Sequence, residues 1–179
     1  MVGQRGNTWY LAGTFINEGN AQAKVAEITP TSSISCTIPQ GKTIFFPIYN
    51  YINFNTPGVC GQGETNLTVI GMRKSSADHV NMVKKSSISL YVDGKKYAYN
   101  RKVSPVFELT LPEDNIWDAG CSPDGVPGGV YSAAVDDGYY AQVTNLQPGE
   151  HTIEYSIIDD NGIYHNNKYY ITIVKTRKF

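Results

Sequence analysis

The chain has 179 residues with 15 Lys+Arg against 16 Asp+Glu, a net charge of -1. That balance excludes the strong basic excess of a nucleic-acid-binding domain and the polybasic patch of a membrane-surface protein. The length fits one domain, residues 1–179, that buries about 70% of the surface its unfolded form exposes and needs no metal or disulfide merely to fold. Charged residues make up only 17%, while thirteen Tyr, seventeen Gly and fourteen Asn give the flavour of an extracellular β protein. No apolar run reaches the roughly 18 residues that a membrane-spanning helix needs. Met1 to Phe15 lacks the apolar stretch of a signal peptide, with Gly3, Gln4, Gly6 and Asn7 breaking it. The chain is therefore cytosolic or has lost its leader, and the composition favours an extracellular or cell-surface protein.

In chain order, Trp9 to Phe15 reads as a first strand. Ile34, Cys36 and Ile38 alternate with Ser35 and Thr37, the pattern of a strand with one buried face. Pro39 to Lys42 is a turn. Thr43 to Tyr49 is a continuous apolar run that predicts a strand buried on both faces, with Pro47 demanding a bulge or an unpaired position. Residues 50 to 66, rich in Asn, Pro and Gly, read as loop. One short helix at most is predicted, over residues 76–85, where Val80 and Val83 share a face.

Ile88, Leu90 and Val92 then alternate, and Asp93-Gly94 is the strongest short hairpin signal, suited to a type I′ turn. Tyr97 and Tyr99 fall on the returning strand, and Phe107, Leu109 and Leu111 on another. Pro112 to Gly129 is irregular and long enough to suggest a functional loop. Val135 to Val143 reads as a strand interrupted at Asp136-Asp137-Gly138, and two further strands carry Ile153, Tyr155, Ile157 and Tyr169, Ile171, Ile173. Evenly spaced short strands predict an all-β fold, a single β-sandwich of Ig-like or jelly-roll type.

The run Leu146-Gln147-Pro148-Gly149-Glu150-His151-Thr152-Ile153 resembles the penultimate hairpin of bacterial Ig-like modules. A wider ordered set also resembles a group of uncharacterised secreted prokaryotic proteins. It comprises Leu11-Ala12-Gly13-Thr14, Cys36 to Lys42 with Phe46-Pro47-Ile48 and Asn50, Val92-Asp93-Gly94, Ser104-Pro105 with Phe107, and Asp137-Gly138-Tyr139-Tyr140. The resemblance implies export and a β-rich fold; it carries no known activity, so no catalytic residue is assigned.

Cys36, Cys60 and Cys121 form no C-x-x-C pair, which removes zinc-ribbon and thioredoxin-type chemistry. Cys36–Cys60, the pair nearest in sequence, is the expected disulfide, worth roughly 3 kcal/mol in the chain-entropy model; three buried thiols are the alternative. Gly41-Lys42-Thr43 imitates the tail of a phosphate loop, but Cys36 stands where its first glycine belongs. His79, His151 and His165 lack metal-site spacing, and a Cys121–His thiol site has little behind it. The acidic turns at Asp136, Asp137, Asp159, Asp160 and Asn161 supply oxygens of the kind structural calcium takes, although Asp and Asn also dominate ordinary turns. No cofactor is required.

The aromatic supply is high, and Trp117, Tyr131, Tyr139 and Tyr140 are the candidate binding residues. A ring beside amides holds the C–H face of a sugar, tyrosine also suits protein contacts, and it fits half-buried strands as well. Asn66-Leu67-Thr68 is a glycosylation sequon.

Three functions follow as expectations. The first is a non-enzymatic adhesion, assembly or surface-interaction module with a protein or glycan partner at the cell surface, forming homo-oligomers, with Trp9 to Phe15 as an exchangeable strand. The second is a carbohydrate-binding module. The third is a secreted glycoside hydrolase with a carboxylate pair drawn from Asp118, Asp124, Asp136 and Asp137.

Overall fold

A computed structural model describes residues 4, 6–12, 32–118, 121, 125–159, 162 and 164–175. Ten strands and one α-helix are present among them: β1 (Thr8–Tyr10), β2 (Ser32–Pro39), β3 (Thr43–Phe54), α1 (Val69–Met82), β4 (Ser89–Val92), β5 (Lys95–Lys96), β6 (Asn100–Val103), β7 (Phe107–Leu111), β8 (Gly129–Val143), β9 (Gly149–Ile158) and β10 (Tyr164–Val174). They form two five-stranded sheets. One runs β1-β3-β8-β6, with β7 also paired to β8; the other runs β2-β10-β9-β4-β5. The β-rich expectation holds at that level.

The two sheets share one hydrophobic cluster. Ile44, Phe46 and Ile48 of β3 and Tyr139, Ala141 and Val143 of β8 meet Ile153, Tyr155 and Ile157 of β9 and Tyr169, Ile171 and Ile173 of β10. Phe46 ties the sheets together, its ring centroid 5.8 Å from Tyr155 and 6.1 Å from Tyr169. Period-two burial in β3 corrects the expectation of a strand buried on both faces: Phe45 lies half-exposed on the outer face, stacked on Tyr140.

Pro47 does coincide with a register irregularity, between Pro47 and Tyr49. The slip changes which residues point inward, from Ile44, Phe46 and Ile48 before it to Tyr51 and Asn53 after it. It also lets β3 run on to Phe54, through residues expected to be loop. β8 likewise runs unbroken through Asp136-Asp137-Gly138. Gly138 makes this pairing fit, because a Cβ there would stand 2.5 Å from both Asn50 Cβ and the Tyr49 carbonyl oxygen.

The Asp93-Gly94 hairpin forms as expected, with φ of +50° and +71°, the left-handed pair that a type I′ turn requires. Its returning strand stops at Lys96, so Tyr97 and Tyr99 lie in the connection that carries the chain to β6 in the other sheet. Of the expected first strand, residues 8–10 pair in parallel with β3, and 13–15 lie outside the described residues.

The helix begins seven residues earlier than the apolar spacing predicts and ends three earlier. Thr68 caps it, its side-chain oxygen accepting the Gly71 N–H at 3.1 Å. Met72, Ser76 and Val80, spaced by four, are its buried residues. Its inner face meets β3, where Asn53 Nδ2 donates to the Met72 carbonyl at 3.2 Å and Ser76 Oγ at 2.9 Å, and Tyr51 stacks on His79 at 3.8 Å.

Candidate functional site

A pocket of about 470 Å³ lies at the far end of β3, lined by Ile52, Asn53, Phe54, Thr56, Gln62, Thr65, Leu67, Trp117 and the sulfur-bridged Cys60 and Cys121, with Gly61 and Gly63. Three elements build it. β3 supplies the floor, the loop between β3 and α1 one wall, and the loop between β7 and β8 the other.

The first wall is tied by two amides. Asn55, 9% exposed, accepts the Leu67 N–H at 2.6 Å and the Gln62 Nε2 at 3.2 Å on its Oδ1. Gln62 in turn accepts the Thr56 N–H at 2.7 Å and donates to the Thr65 carbonyl at 3.0 Å. The second wall is organised by Asp118, whose carboxylate accepts the Asn115 N–H at 2.8 Å and the Val126 N–H at 3.1 Å. Asn115 Oδ1 accepts the Trp117 N–H at 3.0 Å, and its Nδ2 donates to the Val126 carbonyl at 2.7 Å. Gly125, at φ +67°, must be glycine: a Cβ there would lie 2.6 Å from the Asp118 carboxylate. Asp118 therefore shapes the loop that presents Trp117.

The disulfide joins Cys60 to Cys121, with Cys36 left free. The expected Cys36–Cys60 pair is thereby corrected. Nearness in sequence favoured Cys36, but β2 places it against Ile171 of β10, inside the other sheet. The observed bridge spans 61 residues and is worth about 4 kcal/mol in the chain-entropy model, more than the shorter loop would give.

The four candidate binding residues separate into three places. Trp117 and Tyr131 both make T-shaped contacts with Phe54, at 5.0 Å and 5.2 Å between ring centroids. Tyr140 lies on the outer face of the first sheet, stacked on Phe45 at 5.4 Å, with Tyr10 edge-on to Phe45 at 6.0 Å. Tyr139 is 7% exposed and packs in the core against Tyr99, so it is not a surface contact; neighbouring residues of a strand point to opposite faces. The polar pocket members Asn53, Thr56, Gln62 and Thr65 carried no motif; their only trace in the sequence was the Asn- and Gly-rich composition of residues 50–66.

The same alternation splits Asp136 from Asp137. Asp137, 3% exposed, accepts from two nitrogens of Arg101, Nε at 2.9 Å and Nη2 at 2.6 Å. Arg101 also reaches Asn81 Oδ1 of α1 at 2.6 Å. Asp136, on the other face, accepts the Tyr140 hydroxyl and the Asn50 amide, the latter at 3.2 Å. Burial raises the Asp136 pKa more than these bonds lower it. Burial and then the bond to Asp136 hold the Tyr140 phenol far above its ordinary range, so it remains a donor.

Asp136 and Asp137 therefore do not converge as calcium ligands or as an acid–base pair. Asp159 bonds His165 Nε2 at 2.7 Å, while Asp160, Asn161 and Asp124 lie outside the described residues. Among the described residues no three His, Cys, Asp or Glu side chains gather to hold a metal ion. No helix among them is long and apolar enough to cross a membrane.

Fold and site together define a two-sheet β protein with an aromatic and amide pocket that a disulfide helps to line. No family model matches the chain, and none of the curated proteins compared with it matches. Among solved structures, the solution structure of Amebosin is similar over 78% of this chain and 88% of that one, at 15% identity and a TM-score of 0.23.

Proposed function

We propose that this chain is a non-enzymatic, extracellular β-sandwich module that binds carbohydrate at the Phe54–Trp117 pocket. The observation that supports it is the lining itself. Two aromatic rings stand beside Asn53, Thr56, Gln62 and Thr65, so the C–H faces of a sugar have rings to cover them and its hydroxyls have amide oxygens and threonine hydroxyls in the same lining. The described lining residues are apolar, amide or hydroxyl in character, which suits holding a neutral ligand rather than moving protons. The disulfide is compatible with an oxidising compartment. The test is a glycan panel followed by titration of any hit. Trp117→Ala is expected to weaken binding at least about tenfold, the scale of a lost aromatic anchor. A panel without hits, or hits indifferent to Trp117→Ala, overturns the reading.

A second reading, a protein partner or a second copy of the chain, draws on another observation. Val103, Val106, Ile116 and Val130 are 57%, 48%, 53% and 64% exposed, and all belong to β6, β7, β8 or their connections. Native mass measured across protein concentration tests it: concentration-dependent assembly lost on Val130→Lys supports it, and a persistent monomer that captures no partner opposes it.

A further inference from the structure

We infer that the Cys60–Cys121 disulfide is a redox clamp on the pocket, one that sets its shape locally in addition to its share in global stability. The inference rests on the pocket being the binding site, and three observations carry it. First, both cysteines line the pocket, one in each wall. Second, each wall is knit to itself: Asn55 and Gln62 bond within residues 55–67, and Asn115 and Asp118 bond within residues 112–126. Among the described residues the bridge is the bond that crosses between them. Third, Cys60 sits at φ +54°, the left-handed region that a side chain with a Cβ adopts reluctantly, between Gly58 at +77° and Gly61 at +75°. Opening the bridge frees this segment to relax and lets the two walls part.

The core lies elsewhere. The cluster shared by the sheets draws on β3, β8, β9 and β10 and contains neither Cys60 nor Cys121. Reduction therefore loosens the walls locally and leaves the packing between the sheets in place.

The reaction balances with a small dithiol as the reductant. Its thiolate attacks one cysteine sulfur, the Cys60–Cys121 bond breaks, and the reagent's second thiol displaces the mixed disulfide. Cys60 and Cys121 end as thiols and the reagent as a cyclic disulfide, two electrons and two protons having passed to the protein. The clamp is closed in an oxidising setting and opens in a reducing one.

Native-state hydrogen exchange on the full chain tests this, before and after treatment with dithiothreitol. A Cys36→Ser background keeps the free thiol from reshuffling the bridge. Opening this long loop lowers global stability, so Ile153 and Ile171 lose protection in common with the walls; beyond that shared loss, exchange at the amides of Thr56, Gln62 and Leu67 and of Trp117 and Val126 is expected to speed up about tenfold or more on reduction. The Cys60→Ser, Cys121→Ser double variant should show the same pattern without reagent. Unchanged protection in the walls overturns the clamp, and so does equal loss across the core strands, which would make the bridge a support for the whole fold. This readout uses no ligand. A glycan panel without hits therefore sinks the proposed function while the clamp is judged separately.

Discussion

Asp136 and Asp137 are consecutive in β8, yet they serve opposite faces of one sheet. Asp137 locks Arg101 against α1, and Asp136 gathers Tyr140 and Asn50 on the outer side. One peptide unit thus separates the Asp137–Arg101 ion pair from a half-buried hydrogen-bond cluster on the outer face.

Breaking the ion pair should be costly. Asp137→Ala leaves the Arg101 guanidinium, whose side chain is 32% exposed, without its carboxylate. A fully buried pair loses 3–5 kcal/mol this way, and partial exposure reduces the expectation to about 2–3 kcal/mol. Urea unfolding should show a lower midpoint with unchanged slope. A variant as stable as the parent would show that Arg101 finds another acceptor.

Gly138→Ala is expected to destabilise by about 1–3 kcal/mol, the usual cost of forcing an atom into a packed site. The added methyl would meet Asn50 Cβ and the Tyr49 carbonyl at 2.5 Å. Asn50→Gly in the same chain removes only the first clash, so thermal unfolding should show partial rescue. Full rescue would mean that the backbone contact is relieved by a small shift.

His151 and Asp93 make stability depend on pH. His151 Nδ1 lies 2.7 Å from Asp93 Oδ2 and its Nε2 2.8 Å from the Gln147 carbonyl, so both ring nitrogens face oxygens. Burial pulls the His151 pKa down, but the bonds to Asp93 and Gln147 outweigh it and the pKa ends above its ordinary 6.5. Asp93 ends below its ordinary 3.8: burial raises it, but the bonds from His151 and the Thr152 N–H together lower it by more.

The histidine contribution is therefore complete below pH 6.5 and is lost as pH rises through the raised folded-state value. The aspartate contribution is present above pH 3.8 and is lost as pH falls through the lowered one. Between these two values both groups are charged and the β4–β5 turn is held best. Comparing parent and His151→Gln by denaturant midpoint should give the largest difference near pH 5 and a shrinking one toward pH 8. A difference that is flat across this range would assign the bond to the neutral imidazole.

Thiol counting checks the cysteine pairing. The denatured, unreduced chain should release one titratable thiol, and peptide mapping should place it at Cys36. In the native state that thiol should react slowly, since it is half-buried and burial raises its pKa. A linked peptide containing Cys36 and Cys60 would contradict the fold around the pocket.

Much of this architecture can be read from local patterns. Period-two apolar spacing marks β4, β7, β9 and β10, Asp93-Gly94 marks its hairpin, and Pro47 marks the irregularity in β3, because each depends on residues a few positions apart. The strand through Asp136-Asp137-Gly138 reads as a break, since its polar residues find their partners, Arg101, Asn50 and Tyr140, only across the sheet. The helix start is hidden for a related reason. Gly71 and the apolar pair Val69-Ile70 disguise the first turn, and the Thr68 cap gains force only once Met72 and Ser76 dock on Asn53.

The sequence by itself determined a neutral, tyrosine-rich, β-dominated chain with the Asp93-Gly94 turn in place and Trp117 and Tyr131 among its candidate contacts. Tertiary structure alone decided that Tyr139 is core while Tyr140 lies half-buried on the outer face, that Cys60 bonds Cys121, and that Phe54 brings Trp117 and Tyr131 together. The physical reason is range. Strand propensity and turn conformation act over neighbouring residues, whereas a face, a disulfide and a pocket depend on segments that meet only after the chain has closed over tens of residues.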